Sequence, residues 1–401
     1  MPYPHQYWWG FYFLEPEYQM RYTKENMRIA YFIGTLKKAD GVGLVLLDLV
    51  RHAKMNGHEC IIVTGWVEEP ERFPVTVIEV PAVVFPLYRE YQLPLPGIHG
   101  FAAKLDEWKP DIIHVHSPET LARAAAKYAR QRRIPIIATH HTDFARYLTY
   151  YHIEFLTPFV WYLLRSIYNR MLLTTTPSPV TAADLEAHGV KNVHVLPWGI
   201  DFARFDTSFR SDAWRTDVLK PGTNTVVLCV CRLTWEKDLR TLAEAYHILM
   251  GRRNDLTMVV AGDGPARAEL ETLMPGARFF GRLDSHALST TYASSDIFLF
   301  PSSTETFGSV TIEAMASGAV PVVADAVGSK SLVENGVTGF RVAPKDAVAF
   351  AARVEELIEN HPLRTRMQRD GLSFVKRFKW ETVFETLMKL YTDTIDSYRR
   401  S

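Results

Sequence analysis

The sequence predicts an α/β protein of two doubly wound domains. Three observations lead there. The chain has 401 residues, more than one hydrophobic core usually organises. Short apolar runs alternate with segments of helical spacing. A turn-rich stretch interrupts this alternation, which then starts afresh.

Arg28-Ile29-Ala30-Tyr31-Phe32-Ile33 reads as the first buried strand, and Val45 to Lys54 carries helical spacing of apolar residues. Gly57-His58 closes that helix, and Cys60 to Gly65 is the next strand, as a right-handed crossover requires. The grammar repeats with a strand over Asp111 to Val115, a helix over Leu121 to Gln131 and a strand over Pro135 to Thr139. The first domain is therefore placed at 1–196. Pro197 to Thr225 is rich in turn residues. Fresh strands follow at Val226 to Cys231, Leu256 to Ala261, Ile297 to Phe300 and Val320 to Ala324, with a helix between the last two. They define a second domain at 197–380. Residues 381–401 are expected to form a helix that packs back on the first domain.

Hydrophobic residues make up 47% and charged residues 22%, which argues for a globular chain and against disorder. Lys plus Arg equal Asp plus Glu at 45 each, so no overall field recruits nucleic acid, and none is expected as a partner. Of the three cysteines, Cys229 and Cys231 are expected on opposite faces of a strand, and neither a disulfide nor a metal site is implied. The aromatic N-terminal segments Tyr7-Trp8-Trp9 and Phe11-Tyr12-Phe13 lack the basic-then-apolar order of a signal peptide. The longest apolar candidate, Phe155 to Leu164, falls short of the roughly 18 to 20 residues that span a bilayer. A cytoplasmic location follows as the expectation, at the inner face of the membrane if the protein meets one.

In open α/β sheets, ligands sit outside the carboxyl ends of the strands. The loop after the strand ending at Phe300 holds Glu305, and the helix beyond it holds Glu313, with seven residues between them. Gly308 allows backbone to approach a ligand closely, and the free N–H groups of the following helix favour phosphate. Two carboxylates flanking such a site suit the hydroxyls of a ribose and a hexose. Two arbitrary acidic residues would more often be a surface feature. The sequence around these two favours a site.

A second constellation, Cys231-Arg232-Leu233-Thr234-Trp235-Glu236-Lys237-Asp238, leaves the first strand of the second domain. Arg232 and Lys237 would neutralise charge growing on a leaving diphosphate, the Arg as a fork and the Lys as a point charge. Thr139-His140-His141-Thr142 ends a buried strand and should open into an interdomain cleft. Gly41-Val42-Gly43-Leu44-Val45-Leu46 only half fits the dinucleotide fingerprint, since the third glycine is missing and the second strand ends at Gly65 without an acidic residue. A nicotinamide dehydrogenase is therefore disfavoured.

Pro301 to Gly318 resembles the E-x7-E motif of retaining glycosyltransferases, particularly glycosyltransferase family 4, and Glu-Ala-Met-Ala-Ser-Gly resembles that family's continuation. The resemblance covers nearly the whole chain. It implies the GT-B fold, two Rossmann-like domains facing across a cleft, with the acceptor on the first and a nucleotide-sugar on the second. It also implies that Glu305 lies by the donor hexose and Glu313 holds the ribose hydroxyls. Backbone amides of Phe307, Gly308 and Ser309 would meet sugar and phosphate. Residues 231–238 resemble the family's Gly-Arg-Leu-x-x-x-Lys-Gly motif, with Cys231 and Asp238 in the glycine places. Arg232 and Lys237 are retained, while the charge on Asp238 is expected to disturb the loop and donor affinity. By position His141, rather than His140, would contact the donor sugar. Asp40-Gly41-Val42 resembles the family's Gly-Gly-Val loop, which implies that Gly41 nears the diphosphate or acceptor. Gly262, in Gly-Asp-Gly-Pro, and Gly281-Arg282-Leu283 resemble loops around the nucleotide.

No Asp-x-Asp triplet is present, so no metal is expected, and the nucleotide-sugar is a co-substrate with no further cofactor. The resemblance favours a front-face reaction that needs no protein nucleophile. The alternatives are a phosphorylase, which resembles longer chains with a pyridoxal phosphate lysine motif absent here, and a non-catalytic nucleotide-sugar-binding protein. GDP-mannose and UDP-glucose both remain open as donors, with Thr304 to Gly308 more like mannosyltransferases. For the acceptor, the aromatic segments Tyr147 to Tyr151 and Phe155 to Arg165 lie among Arg146, Arg165 and Arg170, a composition suited to a lipid headgroup boundary. The proline-rich stretch Phe85 to Pro96 resembles the matching region of lipid-glycosylating relatives. A membrane lipid or lipid-linked glycan is the expected acceptor, with peripheral membrane association, and a soluble sugar is the alternative.

Overall fold

The computed structural model describes residues 26–37, 41–84, 92–95, 97, 100–142, 148 and 153–400. Asp40, Phe85 to Tyr91, Pro96, Arg146, Tyr147, Thr149 to Tyr151 and the N-terminal aromatic segments lie outside the described residues.

The first domain runs β1 (Arg28–Leu36), α1 (Gly41–Met55), β2 (Glu59–Val67) and β3 (Thr76–Glu79), then the strand pair β4 (Ala82–Val84) and β5 (Gln92–Pro94). It continues through α2 (Ala102–Trp108), β6 (Ile112–Val115), α3 (Thr120–Arg132), β7 (Ile136–Thr139), α4 (Thr157–Tyr168), β8 (Thr174–Thr176), α5 (Pro179–Ala187) and β9 (Val193–Val195). Seven strands form one sheet in the order β3-β2-β1-β6-β7-β8-β9, parallel throughout. Parallel sheets carry helices on both faces, so their strands read as continuous apolar runs. In β1 the faces separate by alternation: Ile29, Tyr31 and Ile33 join one core and Ala30 and Phe32 the other.

The second domain contains α6 (Asp212–Val218), β10 (Thr225–Val230), α7 (Leu239–Arg252), β11 (Leu256–Ala261), α8 (Arg267–Leu273), β12 (Arg278–Gly281), α9 (Ser285–Ala293) and β13 (Ile297–Phe300). Then come α10 (Ser309–Ala316), β14 (Val320–Ala324), α11 (Val327–Leu332), β15 (Phe340–Val342), α12 (Ala347–Glu359) and α13 (His361–Phe374). Its six strands lie in the order β12-β11-β10-β13-β14-β15, again all parallel. The stretch read as turns at 197–225 includes α6, which the Ser211 side chain caps by accepting from Trp214 N at 3.2 Å. Cys229 and Cys231 do not diverge. They share one core, because residues two apart on extended backbone point the same way.

The last helix, α14 (Trp380–Arg400), buries Trp380, Val383, Phe384, Leu387, Met388, Tyr391 and Ile395 in the core that α1 and β1 also line. Their three-and-four spacing makes a single apolar stripe. The two chain crossings between domains run side by side. Ile200 N donates to Phe378 O at 2.7 Å, and a Cβ on Gly199 would stand 2.3 Å from the Trp380 ring, so only glycine fits there. Trp198, at the same crossing, packs against the cores of both domains.

Candidate functional site

The loops after β10 and β13 are clipped together at three points. Lys237 Nζ donates to Glu305 Oε1 at 2.6 Å, with the two side chains only 14% and 21% exposed. Thr304 Oγ1 donates to the Glu236 carbonyl at 3.0 Å. The third clip is Asp238, whose Oδ2 accepts from Ser303 N at 2.9 Å and from Ser303 Oγ at 2.6 Å. Asp238 has φ 53° and joins the turn Trp235–Lys237 to α7. Left-handed backbone explains why glycine suits this position, and Asp is one of the few other residues that tolerates it. The expected disturbance from its charge takes a different form: the carboxylate is spent on Ser303 and ties the Lys237 loop to the Glu305 loop.

Gly308 caps α10 with φ 86°. Its backbone conformation demands glycine, whereas space does not, since a Cβ would meet nothing closer than 3.6 Å. The Phe307 side chain is buried against Trp198 and Phe378, with ring centroids 5.4 and 5.9 Å away, so only its backbone is free to meet a ligand. Ser309 opens α10. Gly328, in α11, holds this loop from behind, its N–H donating to the Glu305 carbonyl at 2.9 Å. A Cβ there would lie 2.5 Å from the Phe307 carbonyl oxygen and 2.8 Å from that of Glu305.

Glu313 is half-buried, one turn into α10. Burial raises its carboxyl above the usual carboxylate range, while a hydrogen bond from Tyr292 and the charge of Arg204 pull it back. Tyr292 OH donates to Glu313 Oε2 at 2.9 Å. Asp48, from α1 of the first domain, pushes Glu313 upward. Asp48 is itself raised by burial and opposed by Arg51 and Arg204. Arg204 thus serves carboxyls of both domains. No motif marks it, because it sits in the irregular crossing.

The other glycine loops divide by what demands them. At Gly262, with φ 132°, a Cβ would fall 1.8 Å from the Cys231 carbonyl oxygen. That close approach, with Leu233 N donating to Asp263 O at 2.9 Å, fixes the strand end that carries Arg232. Gly281 has φ 64° and accepts from Gly262 N at 2.7 Å. Arg282 is exposed, and Leu283 lines an open cavity of about 680 Å³ with Trp214, Phe280 and His286. Arg232 is exposed at its loop. Gly41 is exposed at the start of α1, where a Cβ would meet nothing within 4 Å, so nothing in the protein itself requires glycine there.

His141 is 5% exposed. Its Nε2 lies 2.8 Å from His116 Nδ1, and its ring lies 5.5 Å from that of Trp198. Trp198 therefore joins His141 to Phe307 and brings the first-domain histidine beside the loop of Glu305. His140 instead pairs its Nδ1 with Tyr168 OH at 2.9 Å, inside the first domain. Burial holds both His116 and His141 well below the usual imidazole range, so both are neutral. Among the described residues no group of three His, Cys, Asp or Glu side chains is placed to hold a metal ion, and no helix is long and apolar enough to cross a membrane.

Two sequence families match. Residues 39–204 match the model described as Glycosyltransferase Family 4, and residues 210–373 match that of Glycosyl transferases group 1. A GDP-mannose-dependent alpha-mannosyltransferase of Corynebacterium glutamicum is 32% identical over 377 residues, covering 92% of this chain and 89% of that protein. A phosphatidyl-myo-inositol mannosyltransferase of Mycobacterium tuberculosis is 28% identical, covering 70% and 73%. Among solved structures, Anabaena Alr3699/HepE in complex with UDP-glucose superposes with a TM-score of 0.74 at 20% identity, covering 92% of this chain and 100% of that one. This last likeness concerns the fold.

Proposed function

Because the chain belongs to glycosyltransferase family 4 and is a nucleotide-sugar-dependent glycosyltransferase, we propose that it transfers a hexose with retention of anomeric configuration and without a metal. The observation that carries this reading is the clipped pair of loops, which sets Lys237 and Glu305 in contact beside the start of α10, with Glu313 one turn further on. Arg232, Lys237 and the N–H groups of Gly308 and Ser309 take the diphosphate. Glu313 accepts from the ribose hydroxyls, Glu305 and His141 face the hexose, and residues 281–283 meet the base. In the front-face route the bond from C1 to the diphosphate breaks as the acceptor oxygen bonds C1 on the same face. The acceptor's proton passes to the leaving phosphate. Positioning and stabilisation of that phosphate then carry catalysis.

The relative from Corynebacterium supports GDP-mannose as donor, and the relative from Mycobacterium supports a lipid acceptor. A second support for the lipid is the outer face of α4 and the turn before it. There Phe155, Phe159 and Tyr162 are 77%, 57% and 57% exposed, more apolar surface than a helix of a soluble face usually shows in one place. Two experiments test the reading. Calorimetry against GDP-mannose, UDP-glucose and their diphosphates should select one base, and no binding to any would refute it. Sedimentation with anionic vesicles should carry the protein down, and less so after replacing Phe155 and Phe159 by Ser. A protein that stays in the supernatant and glycosylates only soluble sugars has a soluble acceptor.

A further inference from the structure

Three histidines stand in a row beneath the cleft. His114 and His116 alternate out of β6, and His141 follows β7. The ring centroids are 4.1 Å apart for His114 and His116, and 5.0 Å for His116 and His141. All three are at most 5% exposed.

Both nitrogens of the first ring have partners. His114 Nε2 lies 2.7 Å from Thr139 Oγ1, which lies 2.6 Å from Thr175 Oγ1, and His114 Nδ1 lies 2.6 Å from Tyr391 OH. His114 is fully committed to α14 and β7.

The other two rings are left with a choice. One hydrogen bond joins His116 Nδ1 and His141 Nε2, while His116 Nε2 and His141 Nδ1 are both buried and without a partner. Since both rings are neutral, either direction of that bond leaves one lone donor and one lone acceptor. A buried N–H without a partner is rarer in proteins than an under-satisfied acceptor. Burial does not choose between the directions, since both orphan atoms are buried; what separates them is position, because the donor at His141 lies on the side of Trp198 and the Glu305 loop, where a ligand can take it up.

We propose that His116 is a positioning residue for His141: its Nδ1–H donates to His141 Nε2 and fixes the tautomer in which His141 presents a protonated Nδ1 to an oxygen of the bound hexose. This deepens, and rests on, the placing of His141 at the donor sugar. The lone N–H is then a feature of the empty site, satisfied when sugar binds, and the Trp198 ring closes the other face of the imidazole. Outer partners that orient metal-ligating imidazoles carry about 10- to 100-fold in affinity or activity, and by analogy an effect on the order of tenfold is expected here.

The test uses the full chain labelled with ¹⁵N in histidine, read by long-range ¹H–¹⁵N correlation, alongside turnover of GDP-mannose and UDP-glucose. His141 should show a protonated Nδ1 and a bare Nε2. H116F should scramble that tautomer and lower kcat about tenfold with little change in donor KM, while H116N, which restores a donor at the same reach, should recover most of both. Melting temperatures of the variants identify any that fail to fold, in which case the wild-type spectrum decides. A wild-type His141 protonated on Nε2, or an H116F variant with unchanged tautomer and turnover, overturns the proposal. Full turnover in H141A would instead remove His141 from the sugar site, whatever the tautomer proves to be.

Discussion

Replacing Asp238 by Ala tests the clip between the two donor loops. The change removes both bonds from Ser303 to a carboxylate and leaves a β-carbon on backbone at φ 53°. Hydrogen bonds to a charged group carry about 1.5 to 3 kcal/mol each when buried. Asp238 is half-buried, and water replaces part of the Ser303 hydroxyl bond. The expected loss is therefore about 2 kcal/mol in all. For a domain of this size that corresponds to a fall of about 4 to 8 °C in Tm. Asp238→Gly loses the same bonds but relieves the left-handed strain, and should recover about 1 kcal/mol of it. Calorimetric melting of the three proteins gives the order wild type, Gly, Ala. Donor KM should rise in the same order, because Lys237 and Glu305 ride on the untied loops. An Ala variant as stable as wild type, with unchanged KM, would refute the assignment of Asp238 as a clip.

Glu313 makes a prediction with opposite signs for stability and binding. Its folded carboxyl is raised, so its contribution to stability is present below the ordinary carboxylate value and is lost as pH rises through the raised one. With Glu313 holding the ribose as proposed, donor binding needs the ionised form and should weaken as pH falls through the same window. Tyr292→Phe deletes a bond that favours the charged form, so calorimetric titrations should show that acid limb moving to higher pH. Gly328→Ala presses a methyl against two carbonyls of the donor loop and should cost about 1 to 3 kcal/mol, measured by denaturant melting, together with donor affinity. Glu305→Gln should keep nucleoside diphosphate binding within a few-fold by calorimetry and lose most turnover, because Glu305 is assigned to the hexose. Transfer should persist in saturating EDTA, and loss restored by magnesium would refute metal independence.

The sheets were legible in the sequence because buried parallel strands are apolar on both faces. The runs at Leu256 to Ala261, Ile297 to Phe300 and Val320 to Ala324 coincide with β11, β13 and β14. The loop of Glu305 and the helix start after it were legible because they lie in one continuous segment. Arg204, Tyr292, Gly328 and His116 were not, for a common reason: each acts on a residue distant in sequence, through a contact only the packed fold creates. Gly328 is twenty-three residues from the Glu305 carbonyl it holds, and Tyr292 twenty-one from Glu313. Asp238 failed differently. Its type was noticed, but a sequence does not show where a side chain points.

The contact between Lys237 and Glu305 has its own logic. A pair so little exposed gives up most of its hydration, and its mutual attraction only roughly compensates. Stability alone is thus a weak reason to keep it. In an empty site, however, each charge is the cheapest available partner for the other, and the pair holds two loops near their working distance. On the proposed reading, a nucleotide-sugar brings a diphosphate for the ammonium and hydroxyls for the carboxylate, so both groups exchange one satisfied state for another. Little reorganisation is then left for the moment of reaction, which is the condition under which fixed charges stabilise a leaving phosphate best. Across the two domains, the charge of Arg204 favours the ionised forms of both Asp48 and Glu313.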